Sequence, residues 1–468
     1  MTDNWEHDSG EATAERAGHA VTKKNGATTG GRSIVIKGGT VVNRGGAARA
    51  DVLVVDGLVS AVGEDLTGDE ILDAAGCHVS SGFVDLHAHL REPGREEAET
   101  ITTGTRAAAL GGYTAVVAMP NTEPAQDCPE VVAFVKARAA EAGWCDVHPA
   151  GCITVGRLGK VLAAFETLAS VGVRIFTDDG NGVQDPLIMR RALEYSRHLG
   201  ITLAQHCEVA RLTEGAVMHE GQCCSAMGVP GWPAIAEELM LHRDIELVRL
   251  TGAPMHFLHL STAGSVDLVR RAKADGLPVT AEVAPHHLAL TDELLRGFDP
   301  VFKVNPPLRT AADIAALRAG LLDGTIDAVA TDHAPHAHHT KQMPLDSAPP
   351  GMLGLETALG VVLTAVSPDP VRVVETMSWN PARIAGIGAE HGRPVARGEP
   401  ANLAVWDSSR VWTVDRASLA SKSRNTPFHG MELRGRNVHT LLRGRVTVRD
   451  GIAQESGDAR SIGSGGGR

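Results

Sequence analysis

His87 and His89 are separated by one residue, and on a β-strand side chains at i and i+2 share a face, so both imidazoles can reach a single ion. An H-x-H pair is weak evidence by itself. It gains weight from residues farther along the chain: Asn121, the adjacent Asp178 and Asp179, His206, His259, and Asp332 beside His333. Four histidines (His87, His89, His206, His259), one carboxylate of the Asp178/Asp179 pair and the carboxylate of Asp332 make a ligand set suited to two Zn²⁺ ions with positions left open for water. Such ions bring the pKa of bound water to about 7 and polarise a carbonyl or phosphoryl oxygen under attack, the chemistry of metal-assisted hydrolysis.

These residues can meet only if the chain returns to one place each time. Between about residue 82 and residue 390 short apolar runs alternate with longer Ala- and Leu-rich amphipathic stretches, and eight runs can be counted: GFVDLHAH, YTAVVAMPN, DVHPAGCIT, VRIFTDD, ITLAQH, MHFLHLS, VTAEVAPHH and IDAVATDH. Eight β/α units point to a TIM (β/α)8 barrel, whose active site is assembled at the carboxyl ends of the strands. Six of the eight runs end in a metal-capable or amide residue, a coincidence that scattered core histidines would not produce.

Residues 33–80 alternate apolar and polar in short pieces broken by Gly and Asp, and ANLAVWD, RVWTVD and HTLLRGRVTVRDG repeat the pattern near the other end. The sequence therefore predicts an α/β chain: a barrel over residues 81–390 and a small composite β domain built from both chain ends, residues 33–80 plus 391–455. Residues 1–32 and 456–468 are rich in Gly, Ser or charge and too poor in apolar side chains to offset the entropy of ordering, which predicts a disordered N-terminal tail and a flexible C-terminal one.

Composition narrows the function. Lys and Arg number 44 against 56 Asp and Glu, a net charge of −12, which offers no footprint for a phosphate backbone or an anionic membrane. No apolar run reaches the roughly 18 residues of a membrane helix, and the first 32 residues lack a signal-peptide apolar core, so a cytoplasmic protein is expected. Seven scattered cysteines without a C-x-x-C pair suggest buried free thiols, not a disulfide framework or a thiolate zinc site.

The motifs VDLHAHLREPG (84–94), AMPNT (118–122), FTDDG (176–180), QHCE (205–208), HLST (259–262), VAPHHL (283–288), KVNPPLR (303–309) and ATDHAPH (330–336) closely resemble those of the class I bacterial dihydroorotases of the amidohydrolase superfamily. The likeness covers residues 33–450. It implies the reversible cyclisation of N-carbamoyl-L-aspartate to L-dihydroorotate in pyrimidine synthesis, with two Zn²⁺ per subunit. By the same resemblance His87, His89 and Asp332 hold one ion, His206 and His259 the other, and Asp179 bridges them, with Asp178 its rival. Asp332 is then also the catalytic proton shuttle. Arg91, Asn121 and His336, with His89, would hold the substrate's unreacted carboxylate away from the metals, while Asn305 and the backbone at Pro350 and Gly351 read the ring's amide edges. Family members are commonly homodimeric and some relatives pair with aspartate transcarbamoylase; the sequence shows neither surface.

Several relatives bridge their metals with a carbamylated lysine at the end of the fourth strand, where this chain has VRIFTDD and no lysine. That absence separates the class I reading from a hydantoinase- or allantoinase-type amidase, and Arg91 with Asn121 supplies a carboxylate clamp those enzymes do not need. The second alternative, a catalytically silent subunit scaffolding aspartate transcarbamoylase, conflicts with six filled ligand positions. His286, His287 and His333 are expected to support or pack. His338 and His339 lie in PHAHHTKQMPLDSAPPGM, which has the composition of a mobile lid with solvated histidines. Here the chain departs from the family: His338, His339 and Thr340 replace acidic residues before the loop lysine, and Pro350 stands where Phe is common.

Overall fold

The computed structural model describes residues 33–455. The expectations for the tails, residues 1–32 and 456–468, lie outside the described residues.

Each of the eight apolar runs supplies a barrel strand. In chain order these are Phe83–Ala88, Tyr113–Ala118, Asp146–Pro149, Ile175–Phe176, Thr202–Gln205, Met255–Phe257, Val279–Val283 and Ala328–Val329. Neighbours pair in parallel around the ring. Parallel bridges from Gly151 to Phe176 and from Ala88 to His333 close the two seams where the regular ladders stop. The second seam matters chemically, because it sets the first strand's histidines beside the segment carrying Asp332.

Helices cover the barrel for reasons written in their ends and faces. Thr100 and Thr310 open Ile101–Leu110 and Ala311–Asp323 with capping boxes, and Asp185 accepts from two amides to start Pro186–Leu199. The stretch 235–251 buries Ala236, Met240, Leu241, Ile245 and Val248 at helical spacing and stops at Gly252, whose positive φ of 66° suits a left-handed cap. Inside the ring, Leu86, Val117, Ile175, Ala204 and Ala328 contribute from five strands to one apolar cluster with Ile384. All seven cysteines are free, and no helix among the described residues is long and apolar enough to cross a membrane.

The two ends of the chain share one seven-stranded sheet. Leu403–Thr413, from the C-terminal part, pairs antiparallel with His78–Ser81 on one side and Glu432–Leu442 on the other. Trp406 joins this sheet to the barrel: it is fully buried, its ring lies 4.4 Å from His78 and 6.4 Å from Phe83, and its Nε1 donates to Ser80 Oγ at 3.2 Å. Truncating it would leave a large void and remove the donor to Ser80 Oγ. A Trp406→Ala variant is expected to lose about 3–5 kcal/mol, read as a lower urea midpoint.

Candidate metal centre

The six expected ligands converge on one point at the carboxyl end of the barrel, and all are buried. Asp179 sits at the middle. Its Oδ1 lies 3.4 Å from His87 Nε2, 3.8 Å from His206 Nδ1 and 3.7 Å from His259 Nε2, and its Oδ2 lies 3.6 Å from His89 Nε2. Asp332 Oδ1 approaches His89 Nε2 at 3.3 Å and His87 Nε2 at 3.6 Å. The ligand atoms thus fall into two overlapping groups that share Asp179: His87 and His89 on one side, His206 and His259 on the other. Asp178 points elsewhere, accepting from the Thr154 amide at 3.0 Å and from the Thr154 hydroxyl.

Three of the histidines are oriented by an acceptor on their outer nitrogen. His87 Nδ1–H donates to Glu282 Oε1 at 3.0 Å, His89 Nδ1–H to Asn121 Oδ1 at 2.9 Å, and His206 Nε2–H to Glu208 Oε2 at 2.9 Å. Each bond fixes the tautomer and turns the other nitrogen, with its lone pair, toward the centre. Glu282 also accepts from His256 Nε2 at 2.9 Å; burial would raise its carboxyl, but His256 and His87 outweigh burial and hold it at about 2.

The donor set fits a pair of divalent cations. His87 Nε2 is buried without a hydrogen-bond partner, and His206 Nδ1 and His259 Nε2 face each other at 3.0 Å, an arrangement that needs a proton or a cation between them. Burial would raise Asp179 and Asp332, yet the surrounding imidazoles hold both below the usual carboxylate range. Burial would lower His87, and Asp179, Glu282 and Asp332 nevertheless raise it well above an ordinary histidine. Ionised carboxylates that pull a proton onto a buried imidazole mark a place where positive charge is wanted.

Strain accompanies the site. Asp332, His259 and Arg91 have φ of 45°, 28° and 62°, a region that costs a non-glycine residue about 1–3 kcal/mol. All three line a cavity of about 180 Å³ that the candidate ligands His89, Asp179 and His206 also line, together with Asn121, Asn305, His336, Pro350 and Gly351. His87 is not part of its lining. Arg91 is 7% exposed, its Nε donates to the Pro335 carbonyl at 3.1 Å, and it makes no ion pair among the described residues, so it is not a rim salt bridge. Asn305 Nδ2 donates to Glu208 at 3.2 Å and its Oδ1 is buried and unpartnered. The polar backbone at 350–351 is already engaged: Pro350 O accepts from His336 Nε2 at 2.8 Å, and Gly351 N donates to Lys303 O at 2.9 Å. Gly351 has a φ of 144°, and a Cβ there would lie 2.7 Å from His336 Nε2.

His287 Nε2 donates to the Pro306 carbonyl at 3.0 Å, and His333 Nε2 lies 3.3 Å from Glu99. His338 and His339 are exposed on a short 3-10 turn. The carboxylates Glu282, Glu208 and Glu99 do not stand out in the sequence. Glu282 has a readable signal all the same, a charge inside the apolar run VTAEV that must find a partner when buried.

Residues 76–265 match the family model described as Dihydro-orotase-like. The chain is 51% identical over 425 residues to a dihydroorotase of Streptomyces coelicolor, covering 89% of this chain and 98% of that one. It is 52% identical over 429 residues to a dihydroorotase of Mycobacterium tuberculosis, covering 90% and 99%. Among solved structures it is similar to an L-hydantoinase (dihydropyrimidinase) from Arthrobacter aurescens, with a TM-score of 0.81 at 25% identity over 90% of this chain and 97% of the other. The dihydropyrimidinase of Brevibacillus agri shares the fold, with a TM-score of 0.76 at 24% identity over 90% and 96%.

Proposed function

The chain belongs to the dihydroorotase family, and from that premise we propose that its site interconverts N-carbamoyl-L-aspartate and L-dihydroorotate, in pyrimidine synthesis, with two Zn²⁺ ions. His87, His89 and Asp332 would hold one ion, His206 and His259 the other, and Asp179 both. When bound, the ions would supply a water whose pKa is about 7 and a polarised carbonyl.

The residues around them divide the remaining work. Asp332 reaches into the cavity and carries an ionised carboxylate, so in ring opening it accepts the proton of the attacking water and delivers it to the departing ring nitrogen. Ring closure runs the same transfers in reverse. Asn305 Oδ1, left without a partner, would accept from a ring N–H.

The observation that carries the substrate assignment is Arg91, a buried guanidinium without a carboxylate partner in the same cavity as the ligands. A planar fork of donors in such a place favours a carboxylate supplied from outside, and dihydroorotate carries one that does not react. At the position where a bridging lysine would stand this chain places Asp179, which also favours dihydroorotate over a hydantoin.

Turnover of dihydroorotate, hydantoin and allantoin, with metal content measured on the same samples, tests this reading. Dihydroorotate is expected to be opened, and Arg91→Met is expected to keep its metals while losing about 2–4 kcal/mol of transition-state binding, ~30- to 1000-fold in kcat/KM. Opening of hydantoin or allantoin with dihydroorotate untouched would refute the assignment.

A further inference from the structure

The segment 337–351 has the composition of a mobile lid, yet it is tied down by a side chain that neither the metals nor the substrate uses. Lys341 Nζ donates to three backbone carbonyls: Pro300 at 2.9 Å, Lys303 at 3.2 Å and Pro349 at 2.9 Å. An ammonium has three donors and no acceptor, so this cradle satisfies it completely. No carboxylate pairs with it among the described residues. Burial, and after it the Lys303 ammonium, bring its pKa down to about 7, with Asp299 opposing. A cation held at that cost must return something in structure.

What it returns is the position of one wall of the cavity. Pro349 precedes Pro350 and Gly351, which line the site. The Lys303 carbonyl that accepts from Lys341 also accepts from the Gly351 amide at 2.9 Å, and Pro350 O holds His336. Lys303 fastens the far side of the same loop, its Nζ donating to the carbonyls of Leu345 at 2.7 Å and Asp346 at 2.9 Å. The loop that carries Asn305 and the loop that carries Pro350 are therefore joined by the Gly351 amide and by two ammoniums, of which Lys341 is the one that also holds Pro349 beside the cavity.

We infer that Lys341 is a positioning residue that latches the 337–351 segment onto the 300–305 loop and so holds the cavity wall in the shape that binds the substrate. It touches neither substrate nor metal; it acts through Pro349 and the Lys303 carbonyl. The substrate part of this statement rests on the dihydroorotase reading, whereas the latch does not.

Lys341→Met tests both parts, because it keeps the length of the side chain but takes its donors from three carbonyls: Pro349 O loses its donor, whereas Lys303 O keeps the Gly351 amide and Pro300 O keeps the Lys303 amide. Hydrogen exchange on the zinc-loaded protein is expected to quicken tenfold or more at amides of residues 340–351 and to stay unchanged in the barrel strands, as for a locally opened unit. With dihydroorotate, kcat/KM is expected to fall about 10–100-fold, as for a displaced wall, mostly through KM, at unchanged zinc content. The exposed neighbour supplies the control: His338→Ala is expected to alter neither readout. Unchanged loop exchange in folded Lys341→Met protein overturns the latch, as does a loss of turnover carried by kcat with the loop still protected. Should the wild type not act on dihydroorotate, the substrate reading fails while the exchange result still decides the latch.

Discussion

Under the proposed reaction, an Asp332→Asn variant loaded with Zn²⁺ is expected to keep most of that metal and to lose about three orders of magnitude in kcat in both directions. The amide keeps an oxygen close to where Oδ1 stands, 3.3 Å from His89 Nε2 and 3.6 Å from His87 Nε2, so the ligand cluster remains filled. It cannot take up a proton. A positioned acid–base group contributes about 10²–10⁴-fold, and Asp332 would serve twice in each turnover, at the water and at the ring nitrogen. Its acidity suits the first step: burial would raise the carboxyl, but His89, His87 and His259 together keep it ionised and ready to accept. Its left-handed backbone, φ 45°, is the strain of aiming that carboxylate into the cavity. Metal analysis beside kcat separates the roles, and an asparagine variant retaining a tenth or more of wild-type kcat would remove Asp332 from proton transfer.

The barrel was legible because eight short apolar runs recur and six of them end in a metal-capable or amide residue. His87, Asp179, His206, His259 and Asp332 all follow that rule, and the Ala88–His333 bridge shows why the first and last strands had to meet. The composite sheet was legible for a related reason: short strand-like runs recur at both chain ends, although Leu403–Thr413 buries its first four residues in succession instead of alternating. What resisted was whatever depends on contacts between distant loops. Glu208 comes two residues after His206 in the QHCE motif, but only the fold shows it accepting from that histidine and from Asn305. Glu99 lies far in sequence from Ser421 and Lys422, whose groups it accepts alongside His333. Residues 335–352 read as a lid from a composition of Pro, His and small or polar residues, and composition does not reveal that Lys341 finds three carbonyls on two loops. Family-like spacing to the next histidine favoured Asp179 over Asp178, but both lie beyond the strand Ile175–Phe176, so which of them faces the cluster depends on the turn that follows.

The choice between those two aspartates has the sharpest consequence. Asp179→Ala is expected to lose both metals together, with affinity reduced by more than the roughly 10–100-fold that loss of an outer partner costs, and activity lost with them. The reason is geometric: Asp179 is the one carboxylate whose oxygens reach all four imidazoles, at 3.4 to 3.8 Å. Removing it leaves two histidine groups with no shared anion, and two dications near one another then repel without a bridge. Asp178→Ala should behave differently. Its carboxylate accepts from the amide and hydroxyl of Thr154, and burial raises its pKa despite those bonds, so it serves the loop beside the third strand and not the cations. Its loss is expected to cost about 1–3 kcal/mol of stability through the stranded Thr154 donors while zinc binding persists. Zinc titration of the two variants, with thermal unfolding of each, would show the asymmetry; equal metal loss from both would mean that the cluster depends on the strand end as a whole and not on one bridging carboxylate.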